Sequence, residues 1–551
     1  KEGYLVSIEE HVHNVGTHDR CKTTVEPMIK PQWFVKMDEL AKPAINAIKT
    51  GELKFVPERF GKIYLNWLEN IRDWCISRQL WWGHRIPAYY CDACGHTVVA
   101  EKTPEKCPQC GHAHFHQDED VLDTWFSSAL WPFSTLGWPE KTPELEFFYP
   151  TSALVTGYDI IFFWVARMMF SGLEQMGQVP FKTVLIHGIV RDSQGRKMSK
   201  SLGNGVDPLE VIEKYGADAL RFSLAMGNSP GNDMRFYWEK VEAYRNFANK
   251  IWNAARFVMM NIEGKELRDP AACELDASDQ WILSKYNELV QGVTKSLESY
   301  ELGIAAQKLY DFIWSEYCDW YIELTKPRLH GEDAEAMLTA CSVLNYVLAN
   351  TLKLLHPLMP FITEELWTSL PGTGESIMIS QWPEARPEFA FDRTAFDAVI
   401  EIIKNIRNLR SEMNVPAGKK TDIYIYAPQM EKEMISSGTY IERLAGGAKV
   451  EFLAQKPQKA GEYAAVVCTG AECFIPLGEL VDVQKELARL EKERDTIKGE
   501  IQRANGKLSN KGFVEKAPRK LVEEEKAKIV KYTEMLAKVE ERVQVLSELQ
   551  L

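Results

Sequence analysis

Four cysteines, Cys91, Cys94, Cys107 and Cys110, stand as two C-x2-C pairs separated by twelve residues, and a glycine (Gly95, Gly111) follows each pair. This is the spacing of two knuckles that each lend two thiolates to a tetrahedral zinc ion. Cysteine fills all four positions and leaves none for water or substrate, so the expected ion is structural rather than catalytic. His96, His112, His114 and His116 lie nearby and are read as loop histidines outside a complete coordination sphere. A redox pair or loss of the metal is the competing reading. The second chemical candidate is Gly-Arg-Lys-Met-Ser-Lys-Ser, residues 195–201. Two lysines three residues apart in a polar loop between a strand and a helix can close over a polyphosphate. The segment lacks the G-x-x-x-x-G-K-[ST] pattern of the P-loop, and its charge alone fits an exposed basic turn as well.

The elements around these residues follow from periodicity. Thr183 to Val190 reads as a strand buried on both faces. Asp207, Pro208 and Glu210 read as N-cap, N1 and N3 of a capped helix in a capping-box arrangement. Upstream, short β-type runs (Tyr4 to Ile8, Trp33 to Lys36) and an amphipathic helix from Phe60 to Ile76 predict α/β structure. From 236 to 394 the pattern turns helical, with periods over Val241 to Met260, Trp281 to Leu297 and Ala305 to Leu324, as in a helix bundle. Residues 395–480 predict a small α/β module with a helix (Phe396 to Leu409) and strands at Thr421 to Tyr426 and Ala464 to Cys468. In 481–551, a/d spacing in two stretches flanking Gly512 and Pro518 predicts an antiparallel coiled coil. The class is therefore multidomain, α/β plus all-α.

A chain of 551 residues with 45% hydrophobic content can bury several cores. The longest apolar run considered, Ile160 to Ala166, falls far short of the ~20 residues that cross a bilayer, so no membrane association is expected. Eleven cysteines, scattered apart from the quartet, point to a reducing compartment and hence the cytoplasm. Lys1 opens the sequence, and Glu2 to Val15 reads as a strand that has lost its beginning, which suggests a truncated chain. The net charge of −13 advertises no nucleic acid globally, so any RNA footprint is local. One patch fits: Arg503, Lys507, Lys511, Lys516, Arg519 and Lys520 against Glu515, net +5, at the tip of the expected hairpin. A solvated charge face is the plain alternative.

Lys197 to Ser201 reads KMSKS, the signature loop of class I aminoacyl-tRNA synthetases, and the chain resembles that family over essentially its whole length. Trp74 to Gln79 followed by Trp81-Trp82-Gly83 resembles the segment that re-enters the nucleotide-binding fold after the editing insertion. Asp120 to Ser128 is similar to the family's D-x-x-F/W-F-x-S region, and Gly157-Tyr158-Asp159 with His187-Gly188 resembles its ATP-side motifs. Within the branched-aliphatic subgroup, three features favour valine over isoleucine and leucine. They are Trp81 to Pro87 with Gly157 to Trp164, the single four-cysteine insert, and a C-terminal hairpin bearing Lys507 to Asn510 and Phe513 to Pro518. Isoleucine is the runner-up, and a tRNA-binding module without catalysis is the reading from another class.

The resemblance implies the second half of a Rossmann-type catalytic domain (36–235) after a remnant of an editing domain (1–35). The zinc knuckle (90–117) lies within it. A helical anticodon-binding domain (236–394), the small α/β module (395–480) and a coiled-coil tRNA-binding arm (481–551) follow. It implies ATP with Mg2+, valine and tRNA(Val) as substrates, structural zinc, and a monomer. Lys200 would stabilise the pyrophosphate side of the transition state with Lys197 assisting, as positioning and charge neutralisation suffice for such transfer. Met198, Ser199 and Ser201 would complete the loop's ATP contacts. Gly157 would allow backbone approach, Asp159 would accept from ribose hydroxyls, and His187 and Gly188 would sit at the strand end. Trp82 and Ile160 would wall the valine pocket. Such a pocket rejects threonine poorly, a limit for which valine-activating synthetases are themselves the standard example. Asn249 to Phe257 resembles the opening helix of the anticodon-binding domain, with Lys250 and Arg256 toward phosphates and Trp252 and Phe257 in the core. The other family signature, H-x-G-H, does not occur in the sequence, so the chain is expected to be catalytically incomplete alone.

Overall fold

The computed structural model describes residues 3–18, 21–199, 202–457, 462–480, 483–509 and 519–548. It divides into two compact units, 1–205 with 228–237, and 206–227 with 238–551. Sequence placed 206–227 with the first domain. These residues fall in the second unit because Phe222 sits in its core and the Asp218 carboxylate accepts the Phe361 and Ile362 amides at 3.2 and 2.7 Å, at the start of the Pro360–Ser369 helix.

In the first unit a three-stranded parallel sheet places Phe181–His187 between Lys54–Val56 and Thr151–Gly157. The middle strand buries Val184, Leu185 and Ile186, as its apolar run requires. It ends at His187, three residues earlier than the sequence suggests. Val190–Arg191 instead forms a separate short strand beside Met234–Arg235. Helices Asp38–Lys49, Arg59–Glu69 and Ala166–Met176 pack their apolar faces on the sheet core. The helix expected from Phe60 to Ile76 therefore stops at Glu69, and Trp74–Cys75 pairs antiparallel with Phe34–Val35. Tyr4 to Ile8, expected as a strand, is exposed and in no strand. A strand needs a neighbour to complete its ladder, and among the described residues this stretch has none.

The second unit's helices run Trp238–Ile262, Ala277–Glu298, Leu302–Asp311 continuing through wider turns to Leu329, and Ala334–Leu355. Ala334–Leu355 is long and apolar enough to cross a membrane, which the sequence reading overlooked. Its apolar side, including Val343, Leu344, Val347 and Leu355, lies inside the bundle core. The same core continues through Thr394–Glu412 into a four-stranded sheet, in which Thr421–Tyr426 lies between Gly447–Phe452 and Ala471–Pro476, with Tyr463–Cys468 at the edge. Finally, Val483–Ser509 and Arg519–Glu548 pack along one another through Leu490, Ile497 and Val539. Ion pairs Lys498–Glu540 and Lys507–Glu525 fix their antiparallel run.

Candidate functional site

At the C-terminal ends of two parallel strands Gly157 and His187 are register partners, the position where open α/β sheets present ligand-binding residues. At 157 a Cβ would stand 2.8 Å from the Asp159 carboxylate, which would have to shift aside. At 188 the need for glycine is stronger: a Cβ would overlap the Asn232 carbonyl oxygen, so the 232–233 backbone can cross this strand end only if residue 188 has no side chain. Asp233 then ties the crossing together. Its carboxylate accepts the Ile189 amide at 2.8 Å, the Tyr158 hydroxyl at 3.3 Å and the Arg191 side chain. The Ile189 amide foremost holds the Asp233 pKa below the usual carboxylate range.

The signature loop hangs from a second aspartate. Asp192 accepts the Gln194 and Arg196 amides at 3.1 and 2.8 Å, the Arg196 side chain at 2.7 Å and the Asn204 amide group at 2.9 Å. The Asn204 contact leads the effects that hold Asp192 well below the usual carboxylate range. Asn204 also accepts the Ser199 amide at 2.9 Å, and Arg191 bridges to Lys197, so the loop base is clipped at both ends. Lys197 Nζ lies 3.7 Å from Asp159 Oδ2. The structure thereby brings together Gly157, Asp159, His187, Gly188, Lys197 and Ser199 of the sequence-derived set. Lys200 and Ser201 lie outside the described residues. Sequence reasoning missed Asp192, Asn204 and Asp233. The Asp-Ser-Gln-Gly order of 192–195, a type I turn signature closed by the Gly195 amide on Asp192 O at 2.9 Å, was the available signal for the first. Downstream, Asp207 caps the Pro208–Tyr215 helix through the Leu209 amide. The reciprocal capping box appears at Asp276 and Asp279 instead.

Trp82 is 93% exposed, whereas Ile160 is half-buried. The aromatic corner nearest Ile160 in sequence is made by Trp125 and Trp164, whose rings meet edge to face at 5.1 Å. Asp123 caps the helix that carries Trp125 through that residue's amide, at 3.3 Å. Asp-Thr before an apolar helical turn is an N-cap signal that the sequence already contained.

The cysteine quartet sits on a three-stranded ribbon, with Ala88–Cys91 between Thr97–Val99 and Phe115–Gln117. The two knuckles are copies in hydrogen bonding: the Gly95 amide donates to Cys91 O and the Gly111 amide to Cys107 O, at 2.8 and 2.9 Å, and both glycines take positive φ. All four Sγ atoms lie within 4.8 Å of one another, with Cys91–Cys110 at 3.5 Å and Cys94–Cys107 at 3.6 Å. Zn–S bonds of about 2.3 Å in a tetrahedron demand sulfur separations of roughly 3.8 Å, so the donor set fits zinc. The thiols compete for one negative charge. Burial works against Cys107, but the Cys110 and Gln109 amides draw it down to about 6. The His112 amide lowers Cys110, yet neighbouring sulfurs and burial push it up to about 12. A divalent cation resolves that conflict by stabilising every thiolate at once. No histidine joins the quartet; His116 pairs with Asp92 at 2.7 Å.

In the second unit, Lys250 is committed internally, paired with Asp319 at 2.5 Å and 3.9 Å above the Trp314 ring, which corrects its expected place toward phosphates. Arg256 is exposed. One turn before it Trp252 is 44% exposed, contrary to its expected core position, so the two share one outward helix face; Phe257 is half-buried. At the arm, Arg503 binds Glu500 at 2.6 Å, and Lys507 shares the buried Glu525 with Lys528, each at 3.0 Å. Those contacts draw two of the six patch cations onto acids that a sequence-local count leaves out. Lys511 and Lys516 lie outside the described residues, as do the side chains of Arg519 and Lys520.

Three family models match the chain: class I tRNA synthetases (I, L, M and V) over residues 5–237, the anticodon-binding domain of tRNA ligase over 279–425, and the valyl tRNA synthetase tRNA binding arm over 482–547. Valine--tRNA ligase of Clostridium acetobutylicum is 59% identical over 99% of this chain and 62% of its own length. That of Thermotoga maritima is 50% identical over 98% and 62%. The chain thus spans about 62% of the curated relatives it matches. Among solved structures, Mycobacterium tuberculosis methionyl-tRNA synthetase in complex with methionyl-adenylate aligns with a TM-score of 0.52 at 19% identity, over 66% of this chain and 67% of that one. At that identity the match speaks for the fold alone.

Proposed function

We propose that the chain belongs to the valine--tRNA ligase family and carries the signature-loop half of the catalytic domain and the tRNA-binding parts of such a ligase. The reaction is ATP-dependent activation of valine followed by transfer to tRNA(Val). The valine carboxylate attacks the α-phosphate, pyrophosphate leaves, and a terminal ribose hydroxyl of the tRNA then takes the acyl group from the adenylate. The observation that carries this reading is the convergence of Lys197 on Asp159 beside the Gly157–His187 strand ends. A cation from a clipped loop beside the strand ends supports a nucleotide site there. Lys197 and Lys200 would neutralise phosphate charge, Ser199 and Ser201 would donate hydroxyl hydrogen bonds, and Asp159 would exchange Lys197 for a ribose hydroxyl once ATP is bound. Mg2+ would add charge neutralisation on the same phosphates.

The valine side chain is assigned to the corner of Trp125 and Trp164, close in sequence to Ile160, in place of Trp82, because rigid perpendicular rings exclude larger side chains. The cysteine quartet is read as a structural zinc knuckle, Trp252 and Arg256 as an RNA-facing stripe, and the last two helices as a coiled-coil arm on the tRNA backbone. The test is valine-dependent exchange of labelled pyrophosphate into ATP, with isoleucine and threonine as controls, with and without the N-terminal length that the relatives add. Exchange with valine after complementation is expected. Inactivity in both conditions, with tRNA still bound, overturns the catalytic reading in favour of a binding module.

A further inference from the structure

We propose that Arg167 is a positioning residue that fixes the Trp125 wall of the amino-acid pocket; the inference rests on the pocket assignment above. Its side chain is 13% exposed. The guanidinium lies 4.2 Å above the Trp74 ring, 5.6 Å from the Trp125 ring and 5.5 Å from the Phe163 ring. The nearest carboxylate, Asp123, is 3.8 Å away, too far for a hydrogen bond, and Arg167 NH1 has no hydrogen-bond partner. Burial therefore lowers the Arg167 pKa, against the pull of Asp123. An apolar side chain of similar length would fill this space without desolvating a charge. What an apolar chain cannot supply is a flat cation that faces several aromatic rings at once.

Asp123 makes the arrangement directional. One oxygen caps the Trp125 amide, while the other accepts Arg78 at 2.8 Å and the Trp74 indole at 3.2 Å and faces Arg167. Trp125 is thus held from its backbone by Asp123 and faced at its ring by Arg167, and its ring meets that of Trp164. Without Arg167 the cap survives and the ring keeps its contacts with Phe163 and Trp164, but it loses the cation that helps to fix its tilt. The amino-acid pocket loosens while the loop that would hold ATP, anchored on Asp192 and Asp233, is untouched.

The experiment compares the wild type with Arg167→Met, Arg167→Lys and Trp125→Phe. On the chain alone, near-ultraviolet circular dichroism reads the coupling of Trp125 with Trp164. It is expected to fall in Arg167→Met, to recover only in part in Arg167→Lys, whose compact ammonium cannot face several rings at once, and to vanish in Trp125→Phe. In pyrophosphate exchange by the complemented ligase, Arg167→Met is expected to raise KM for valine about tenfold and to narrow the preference for valine over isoleucine, with KM for ATP unchanged. Unchanged coupling in Arg167→Met overturns the inference. So does a fall in Tm with parallel rises in the valine and ATP KM values, which is the mark of a merely structural residue. An unaltered valine KM in Arg167→Met, where Trp125→Phe raises it, overturns the inference alone. An unaltered valine KM in Trp125→Phe overturns the pocket assignment and the inference with it.

Discussion

Two buried arginines show how differently the two units hold their working parts. In the second unit Arg328 gives Asp279 a bidentate pair at 2.6 and 2.7 Å, while the Tyr321 hydroxyl donates to the same carboxylate at 2.6 Å. Only its Nε goes without a partner. Arg167 in the first unit is held by ring faces and a carboxylate beyond hydrogen-bond reach. The contrast extends to the surroundings. Arg328 stands on a helix of the apolar core that runs from Phe222 to Leu480, where neighbours share any local loss. The first unit hangs its candidate site on separate polar points: Asp123, Asp192, Asp233 and the cysteine quartet. A continuous core gives stability that is spread out, whereas point anchors give positions that can be lost one at a time.

Breaking a point anchor should therefore have the largest and most local effect. Structural zinc contributes about 10–16 kcal/mol of apparent folding free energy in small metal-dependent peptides, and the ribbon around residues 88–117 has little apolar core to replace it. Cys107→Ser should release bound zinc and expose the ribbon to limited proteolysis, while the second unit's calorimetric transition stays where it was. A ribbon that keeps its protease resistance without metal would remove the distinction between the units. Next in size is Asp279→Asn, which leaves Arg328 buried with half its pairing gone. A broken buried pair costs about 3–5 kcal/mol, read as a lower midpoint of the second unit's denaturant transition. Asp279→Asn with Arg328→Met should recover much of that loss. If the double variant is as unstable as the single, the network does more than balance charge.

The same contrast explains what could be read from sequence. Elements of the continuous core were legible because periodicity reports burial: the bundle helices, the Thr421–Tyr426 strand and the two terminal helices fall within a few residues of expectation. The quartet was legible because its spacing carries the chemistry within one segment. Asp233 was not, since it gains its meaning from Tyr158, distant in sequence, and Asp123 was legible only as an N-cap, its place beside Arg167 depending on the fold. Trp252 was misplaced because a large apolar residue looks like core until its neighbours are known. Trp82, expected in the valine pocket from the resemblance, stands exposed as Trp252 does.

Exposure is what makes Trp252 a useful third test. Trp252→Ala removes little packing, so stability should stay within about 0.5 kcal/mol. If its ring stacks on an RNA base, tRNA affinity should fall by roughly 5- to 100-fold, since such stacking is worth about 1–3 kcal/mol per base. Lys250→Met, at a side chain already paired with Asp319, should weaken tRNA binding less. Equal losses in filter binding at fixed salt would sink the assignment of the Trp252–Arg256 face as the RNA-facing one.

The smallest expected effect concerns the pH range over which the signature loop keeps its anchor. The Asp192 carboxylate is held well below its usual range, first by Asn204 and then by the Arg196 contacts set against burial. A carboxylate with a depressed folded pKa stabilises the fold above its unfolded value, near 3.9, and loses that contribution only as pH falls through the lower folded value. Amide exchange at Gln194 and Arg196, whose N–H groups donate to Asp192, should therefore show little change in protection between pH 7 and about pH 4 once intrinsic rates are divided out. Asp192→Asn keeps one acceptor oxygen but turns an amide group toward the Asn204 donor and removes the ion pair with Arg196. Protection in that variant should be lower at every pH and should lose its acid dependence. Wild-type protection that already fades above pH 4 would mean that Asp192 titrates like an exposed carboxylate, and that the loop is held by Asn204 and the Arg191–Lys197 bridge instead.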